Sequence, residues 1–470
     1  MIINNTDNKE RSFNVSSPLD KAVSFILDVL DYAIICLVIL VWAVSWSYDA
    51  RLSVPFDDLM SLFHSLLIIY CILGLIFKSG VEIRIPNYKL LIFTVIVIFS
   101  YYSMSTSNKE MFLFRVVYSM VWMFFWLILH TNKTMVWEKY TNVVVAISII
   151  ALVFYFGGSV LNIIPELYSV KRVWGGWDPQ YIRNFYYLYY ESNKLSLGGI
   201  SLWRNCAIFA EAPMYAHVLA PSLAAELFLR KKPRKLIVII LAISLITSLS
   251  TMGIGALVMM SGIYYVKNRF AGIDAKTKKR IIVIASAVLL ILIGLFLARS
   301  FVSESSGSNT VRLSHTKACW QVFKNNMIVG CGWFNRKAVW EYTEYHQGIA
   351  IGLPFLLAMG GLLLFSILLI PVITSFKNAI KQKKYNRFIF DISIFILFFF
   401  NIIEPLFELF IIYSLTEKYE DSYEENDEMD LEGGSSRDKK LKKALWEINT
   451  LFIAMALVFF LAARINYLNK

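Results

Sequence analysis

Apolar runs long enough to cross a lipid bilayer recur along almost the whole chain, and this restricts the fold more than any other feature. A helix needs about 20 apolar residues to span hydrocarbon of about 30 Å. Runs of this kind cover residues 22–46, 57–77, 89–104, 110–130, 140–165, 206–229, 281–298 and 346–373. Two shorter runs, 236–250 and 252–266, suit a thin hairpin or a re-entrant pair, buried where irregular backbone is tolerated. The region 388–415 is interrupted by Glu404-Pro405, and a last run covers 444–464. Charged residues make up 17% of the chain and apolar ones 57%, too little charge to cover a soluble domain of this size. The expected fold class is all-α: a polytopic integral membrane protein with about 12–14 transmembrane helices.

Charge gives the expected orientation. Basic residues gather in alternate connectors: Lys78, Arg84 and Lys89; Arg230 through Lys235; Lys267 through Arg280; Lys377 through Arg387. Such clusters mark the cytoplasmic side. One orientation satisfies all of them, with residues 1–21, bearing Lys9, Arg11 and Lys21, as a cytoplasmic N-terminus without a cleavable signal. Residues 22–415 form the membrane domain, and two long polar stretches, 166–205 and 299–345, fall outside. A hairpin turning near Glu404-Pro405 keeps the basic run Arg437 to Lys443 inside. Residues 416–443 read as a linker, acidic and then basic, before an additional C-terminal helix at 444–464. The net charge of +12 thus reflects topology rather than nucleic-acid binding. Cys36, Cys71 and Cys206 read as small hydrophobes. Cys319 and Cys331 share one polar stretch and could pair if it is extracytoplasmic.

Soluble-enzyme signatures are missing. The sequence has no GxxxxGK loop, no HExxH, no CxxC, and no Asp-x-Asp outside the acidic segment. An ATP-driven pump and a nucleotide-sugar transferase are disfavoured, and the expectation is a metal-independent mechanism with no cofactor.

Charged residues at membrane depth are expensive and point to function. Arg204 and Glu211 stand where the first polar stretch enters an apolar run; on a helix they would share one face about 10 Å apart. An interfacial arginine that snorkels is the ordinary alternative. The preceding segment, from Trp174-Gly175-Gly176-Trp177 through Tyr181 to Tyr190, is aromatic. Asp178-Pro179 suits a helix start there, giving either an interfacial aromatic helix or a surface for stacking sugar rings. The second polar stretch holds Arg312, His315, Gly330-Cys331-Gly332-Trp333 and His346-Gln347. A histidine there has the intrinsic pKa for a general base, although a loop histidine is more often simply solvated.

Arg204, Phe209-Ala210-Glu211-Ala212-Pro213, Ser250-Thr251-Met252-Gly253, Arg312, Gly330-Cys331-Gly332, His346-Gln347 and Gly360-Gly361 occur in an order that resembles the bacterial O-antigen and capsular polysaccharide polymerases. These belong to a superfamily shared with the O-antigen ligases. The resemblance spans about residues 170–375. It departs from the family at Gln347, where asparagine is common, and in the spacing to Gly360.

The resemblance implies a glycosyltransferase of the bacterial cytoplasmic (inner) membrane. It would move a glycan chain from undecaprenyl pyrophosphate onto an undecaprenyl-pyrophosphate-linked repeat unit, among membrane lipids and beside the flippase and chain-length regulator of the same pathway. Arg204 and Arg312 would hold the diphosphate, since guanidinium forks match phosphate oxygens. His346 or Glu211 would serve as base, with His315 as a further candidate. Asn205, Tyr215, Trp174, Trp177, Tyr181, His315 and Trp333 are the expected substrate contacts. An O-antigen ligase, passing the same donor to lipid A-core, is the nearest rival. A lipid-linked oligosaccharide flippase would instead distribute charges through helix centres and carry internal repeats.

Overall fold

The computed structural model describes residues 18–41, 44–52, 54–77, 87–105, 110–130, 132–172, 180–197, 200–269, 307–332, 335–346, 349, 351–400 and 404–416. The runs at 281–298 and 444–464, the linker beyond Thr416, and residues 1–17 lie outside the described residues. Helices dominate the rest. They are α1 (Pro18–Leu40), α2 (Phe56–Phe77), α3 (Asn87–Ser105), α4 (Glu110–Ile128), α5 (Thr134–Phe154), α6 (Ala212–Ala224), α7 (Lys235–Thr247) and α8 (Thr251–Arg269). After these come α9 (Gly307–Asn325), α10 (Arg336–Trp340), α11 (Leu353–Lys381), α12 (Tyr385–Phe400) and α13 (Glu404–Thr416).

Among the described residues, four stretches are long and apolar enough to cross a membrane: Lys21–Leu40, Phe56–Phe77, Thr134–Val160 and Leu353–Lys381. Shorter apolar helices accompany them, α7 and most of α13 included. The outward faces are as apolar as the interior. Leu236, Ile239, Ile243 and Ile246 form an exposed stripe along α7, a spacing that places them on one side of the helix. Water would penalise such a stripe, whereas hydrocarbon accommodates it. The helices α12 and α13 run antiparallel, because Phe398 meets Phe407 at 5.0 Å while Phe390 meets Tyr413 at 6.4 Å.

The described residues are mostly helical, in keeping with the expected class, and the first polar stretch adds short strands to them. Residues 166–203 hold a three-stranded antiparallel sheet, β1 (Tyr168–Arg172), β2 (Gln180–Phe185) and β3 (Tyr189–Glu191), and a hairpin of β4 (Lys194–Leu197) and β5 (Ile200–Trp203). The helix expected after Asp178-Pro179 is therefore a strand in its described part. Aromatic and β-branched residues favour a half-buried pleat, and β2 buries Ile182, Asn184 and Phe185 while leaving Gln180 and Tyr181 exposed. The link between α1 and α2 clamps this sheet. Asp49 accepts from Tyr168 Oη and from Asn184 Nδ2 at 3.3 Å, and Trp46 Nε1 donates to Tyr187 O at 2.7 Å. The second polar stretch is also ordered rather than loop-like, containing α9 and α10.

One helix is broken. Gly361 within α11 has φ 60° and ψ −169°, which strands backbone groups on both sides of the break. Residues 327–332 satisfy them. Leu362 N and Leu363 N donate to Met327 O and Ile328 O at 2.8 and 3.0 Å. In return Ala358 O and Met359 O accept from Cys331 N and Gly332 N at 3.0 and 2.9 Å. Non-helical backbone survives at membrane depth only with such partners. Beyond the break, residues 362–381 make a helix of about 30 Å, one bilayer core.

Candidate functional site

Residues 204–211 are not helical, so the expected shared helical face does not exist. Ala207 has φ 49°, and the segment runs across the end of α7 instead. Arg204 Nε donates to Ser248 O at 3.1 Å, and Asn205 N donates to Thr247 O at 3.0 Å. Both carbonyls belong to the C-terminal end of α7, where helix acceptors lack partners and a cation is favoured. This contact explains why α7 has only 13 residues, about 20 Å of rise. The polar segment occupies the remaining depth. Asn205 is fully buried and its side chain bridges Thr247 Oγ1 (3.1 Å) and Ala207 N (3.1 Å). It shapes the segment rather than lining an open surface.

Glu211 is the N-cap of α6, extended at φ −144° and ψ 149°, with Pro213 in the first turn. Its carbonyl accepts from Met214 N (3.1 Å) and Tyr215 N (3.2 Å), starting the helix. Its carboxylate makes no capping bond; Arg172 Nη2 stands 3.9 Å from it. The arginine is buried and the carboxylate is about a third exposed, with side-chain exposures of 5% and 35%. Two further arginines feel the same carboxylate. Burial pushes the Arg172, Arg204 and Arg312 guanidiniums below the ordinary arginine value, and the charge of Glu211 pulls each of them back up. Arg204 in turn opposes Arg312, so these two cations lie within each other's field. Burial also pushes the Tyr48 hydroxyl up to about 12, with Arg172 lowering it and Glu211 raising it.

Arg172 thus stands against the Glu211 carboxylate where the sheet meets α6, and Arg204 and Arg312 lie within the field of the same carboxylate. The three arginines come from separate elements: Arg172 ends β1, Arg204 follows β5, and Arg312 lies on α9. Arg172 is additionally held by Ser192 O at 3.1 Å and Asn193 Oδ1 at 3.3 Å. Arg312 Nε is buried and donates no hydrogen bond. Among the described residues, three guanidiniums share the field of this one carboxylate, which favours positive potential there. Such a place suits an anion with more than one negative charge.

The other expected residues divide clearly. His315, one turn after Arg312, is buried and its Nε2 donates to Tyr345 O at 3.0 Å. Burial pushes the imidazole below its ordinary value, with the bond to Tyr345 working the other way. The same helix turn is fastened by Ser314 Oγ to Thr343 Oγ1 at 2.7 Å. His346 follows directly, exposed, with its ring 6.2 Å from Trp340. Tyr215 is a core residue, its hydroxyl bonding to Ser148 Oγ at 3.1 Å and its ring stacked on Phe209 at 5.8 Å. Tyr181 stands exposed on β2. Trp174, Trp177 and Trp333 lie outside the described residues. Gly253 of the Ser250-Thr251-Met252-Gly253 segment lets α8 approach α6, since a Cβ there would meet Ala216 Cβ at 2.9 Å.

Arg172 escaped the sequence reading. Its only signal is a basic residue near the aromatics of the first polar stretch, and the strand that brings it to Glu211 precedes the segment expected as an aromatic helix or sugar-stacking surface. Comparison of the sequence with protein-family models and with curated proteins returns no match to either.

Proposed function

We propose that this protein is a membrane-embedded polysaccharide polymerase, a glycosyltransferase working at the outer face of a bacterial cytoplasmic membrane. One observation carries the reading: Arg172 stands 3.9 Å from Glu211 where a small sheet meets apolar helices, with Arg204 and Arg312 in the field of the same carboxylate. A substrate with a lipid tail, a diphosphate and a glycan needs these three environments side by side. The tail lies against the apolar helix faces, the diphosphate meets the arginines, and the sugars extend along the sheet and α9.

In the reaction, an acceptor hydroxyl of an undecaprenyl-pyrophosphate-linked repeat unit attacks the anomeric carbon of the donor chain. The bond from that carbon to the donor diphosphate breaks, and undecaprenyl pyrophosphate leaves with the bonding electrons. Negative charge grows on the leaving diphosphate, and Arg204 and Arg312 stabilise it from fixed positions, which is worth most where water is scarce. Arg172 shares this role. The hydroxyl proton passes to His346, an exposed imidazole next in sequence to Tyr345, whose carbonyl is bonded to His315 one turn after Arg312. Glu211 acts as the resident counter-ion of the arginines, which fits its position better than a base role.

The test is made in cells that depend on this protein for polymer. Arg204→Ala and Arg312→Ala abolish chain extension at unchanged membrane protein level, and Arg→Lys restores part of it, because an ammonium is a point charge rather than a fork. Full-length polysaccharide from both alanine variants contradicts the proposal.

A further inference from the structure

We infer that Cys319 and Cys331 form a disulfide that fastens the Arg312-bearing helix to the loop threaded through the break in α11. The inference rests on the orientation proposed above, which places α9 and the 326–335 loop in an oxidising compartment.

Two observations bring the thiols together. Cys319 is buried in a small core of its own, with Ala318, Val322, Phe355, Ala358 and Met359, and Cys331 packs against the same core. Cys331 is also fixed by its backbone, since its amide donates to Ala358 O at 3.0 Å. Ala358 thus touches both halves of the pair. Both thiols are free in this structure; burial pushes Cys319 up to about 12, with the charge of Cys331 adding to the rise.

The position gives the bond a purpose. Arg312, His315 and Cys319 succeed one another at helical spacings of three and four, along one side of α9. Cys331 lies between Gly330 and Gly332, the residues that seat the loop in the helix break. A link between the two ties the cationic helix to the broken membrane helix, and so fixes where Arg312 stands relative to Glu211.

The chemistry is ordinary thiol–disulfide exchange. Cys331, half-buried where Cys319 is closed off, loses its proton and attacks the disulfide of an oxidising dithiol protein. One oxidant sulfur leaves as thiolate and a mixed disulfide forms. Cys319 then loses its proton and attacks the Cys331 sulfur, closing the Cys319–Cys331 bond and releasing the second oxidant sulfur. Two electrons and two protons pass to the oxidant, which ends as a dithiol.

The measurement is made on the wild-type protein. Cells are quenched with acid, free thiols are blocked with N-ethylmaleimide in denaturant, and the digested protein is read by mass spectrometry. The expected result is a linked pair of unblocked peptides carrying Cys319 and Cys331, two hydrogens lighter than their sum and separable by reductant. Reductant also lowers the unfolding midpoint of wild type and leaves that of C319A/C331A unchanged. Two blocked thiols in untreated wild type overturn the inference. Side of the membrane is read separately, with Lys317→Cys in the C319A/C331A background and a membrane-impermeant maleimide on intact spheroplasts. Labelling together with free native thiols overturns the disulfide alone, and failure to label overturns it along with the proposed orientation.

Discussion

Gly330 and Gly361 exclude each other's side chains. A Cβ added to Gly330 would lie 2.5 Å from the amide nitrogen of Gly361, and one added to Gly361 would lie 2.6 Å from that of Gly330. Both residues also sit at positive φ, 71° and 60°. An alanine in the left-handed region costs about 1–2 kcal/mol before any overlap is counted. Gly330→Ala and Gly361→Ala are therefore expected to lower the thermal midpoint sharply and to reduce monodisperse protein on size-exclusion in detergent. Gly255→Ala and Gly262→Ala, where a Cβ meets nothing within 4 Å, keep both. Equal behaviour of the two sets contradicts the stitched helix break.

Arg172 tests the site independently of the residues that the sequence singled out. Arg172→Gln removes a buried cation 3.9 Å from Glu211 while retaining a donor for Ser192 O. Chain extension is expected to fall at least about tenfold, the effect of losing about 1.4 kcal/mol of transition-state stabilisation. Arg172→Lys recovers part of it. Polymer length distributions on gels, normalised to membrane protein, give the readout; unchanged distributions remove Arg172 from the site.

The buried imidazole of His315 sets an acid limit. Its folded-state pKa lies below the ordinary 6.5, so below that value the unfolded chain binds a proton that the folded chain resists. The stabilisation is complete above pH 6.5 and is lost as the pH falls from there towards the folded pKa. Thermal midpoints measured from pH 7.5 down to pH 5 are expected to decline for wild type. His315→Gln, which keeps a donor for Tyr345 O but does not titrate, flattens that decline. Parallel profiles contradict the assignment.

Lys139 holds two acids inside the helix bundle. Its Nζ lies 2.8 Å from both Asp28 and Asp31, and Asp31 also accepts from Trp126 Nε1 at 2.8 Å and pairs with His130 Nε2 at 3.0 Å. Removing one partner of a buried pair costs about 3–5 kcal/mol because the other charge is stranded. Lys139→Met is expected to lose most folded protein, and adding Asp31→Asn to recover part of it. Thermal midpoints of the two variants decide the matter, and no recovery in the double variant argues against the stranded charge.

The helices were legible because lipid-facing and core-facing residues are both apolar, so runs of spanning length stand out without any period. Even the split at Glu404-Pro405 followed from charge, since a hairpin there keeps Arg437 to Lys443 with the other basic clusters. The strands were not legible. Tyr186 to Tyr190 satisfy an interfacial helix and a sheet equally well until Asp49 and Trp46, more than a hundred residues away, supply partners. Arg204 and Glu211 stood out as charges at the edge of an apolar run and Arg312 through the resemblance, whereas Arg172 depended on that unseen sheet. The paired glycines at 330–332 and 360–361 read as motif positions; their reciprocal role at the helix break needed three-dimensional contact. The position of Tyr215 one turn after Glu211 does not reveal that Ser148 and Phe209 contact it.

The central claim is that the arginine cluster serves glycan transfer from one lipid diphosphate to another. Purified protein in lipid nanodiscs, given only an undecaprenyl-pyrophosphate-linked repeat unit, should yield a ladder of longer lipid-linked glycans, with Arg204→Ala yielding none. Transfer that begins only on addition of lipid A-core, or no new glycan under either condition, contradicts it.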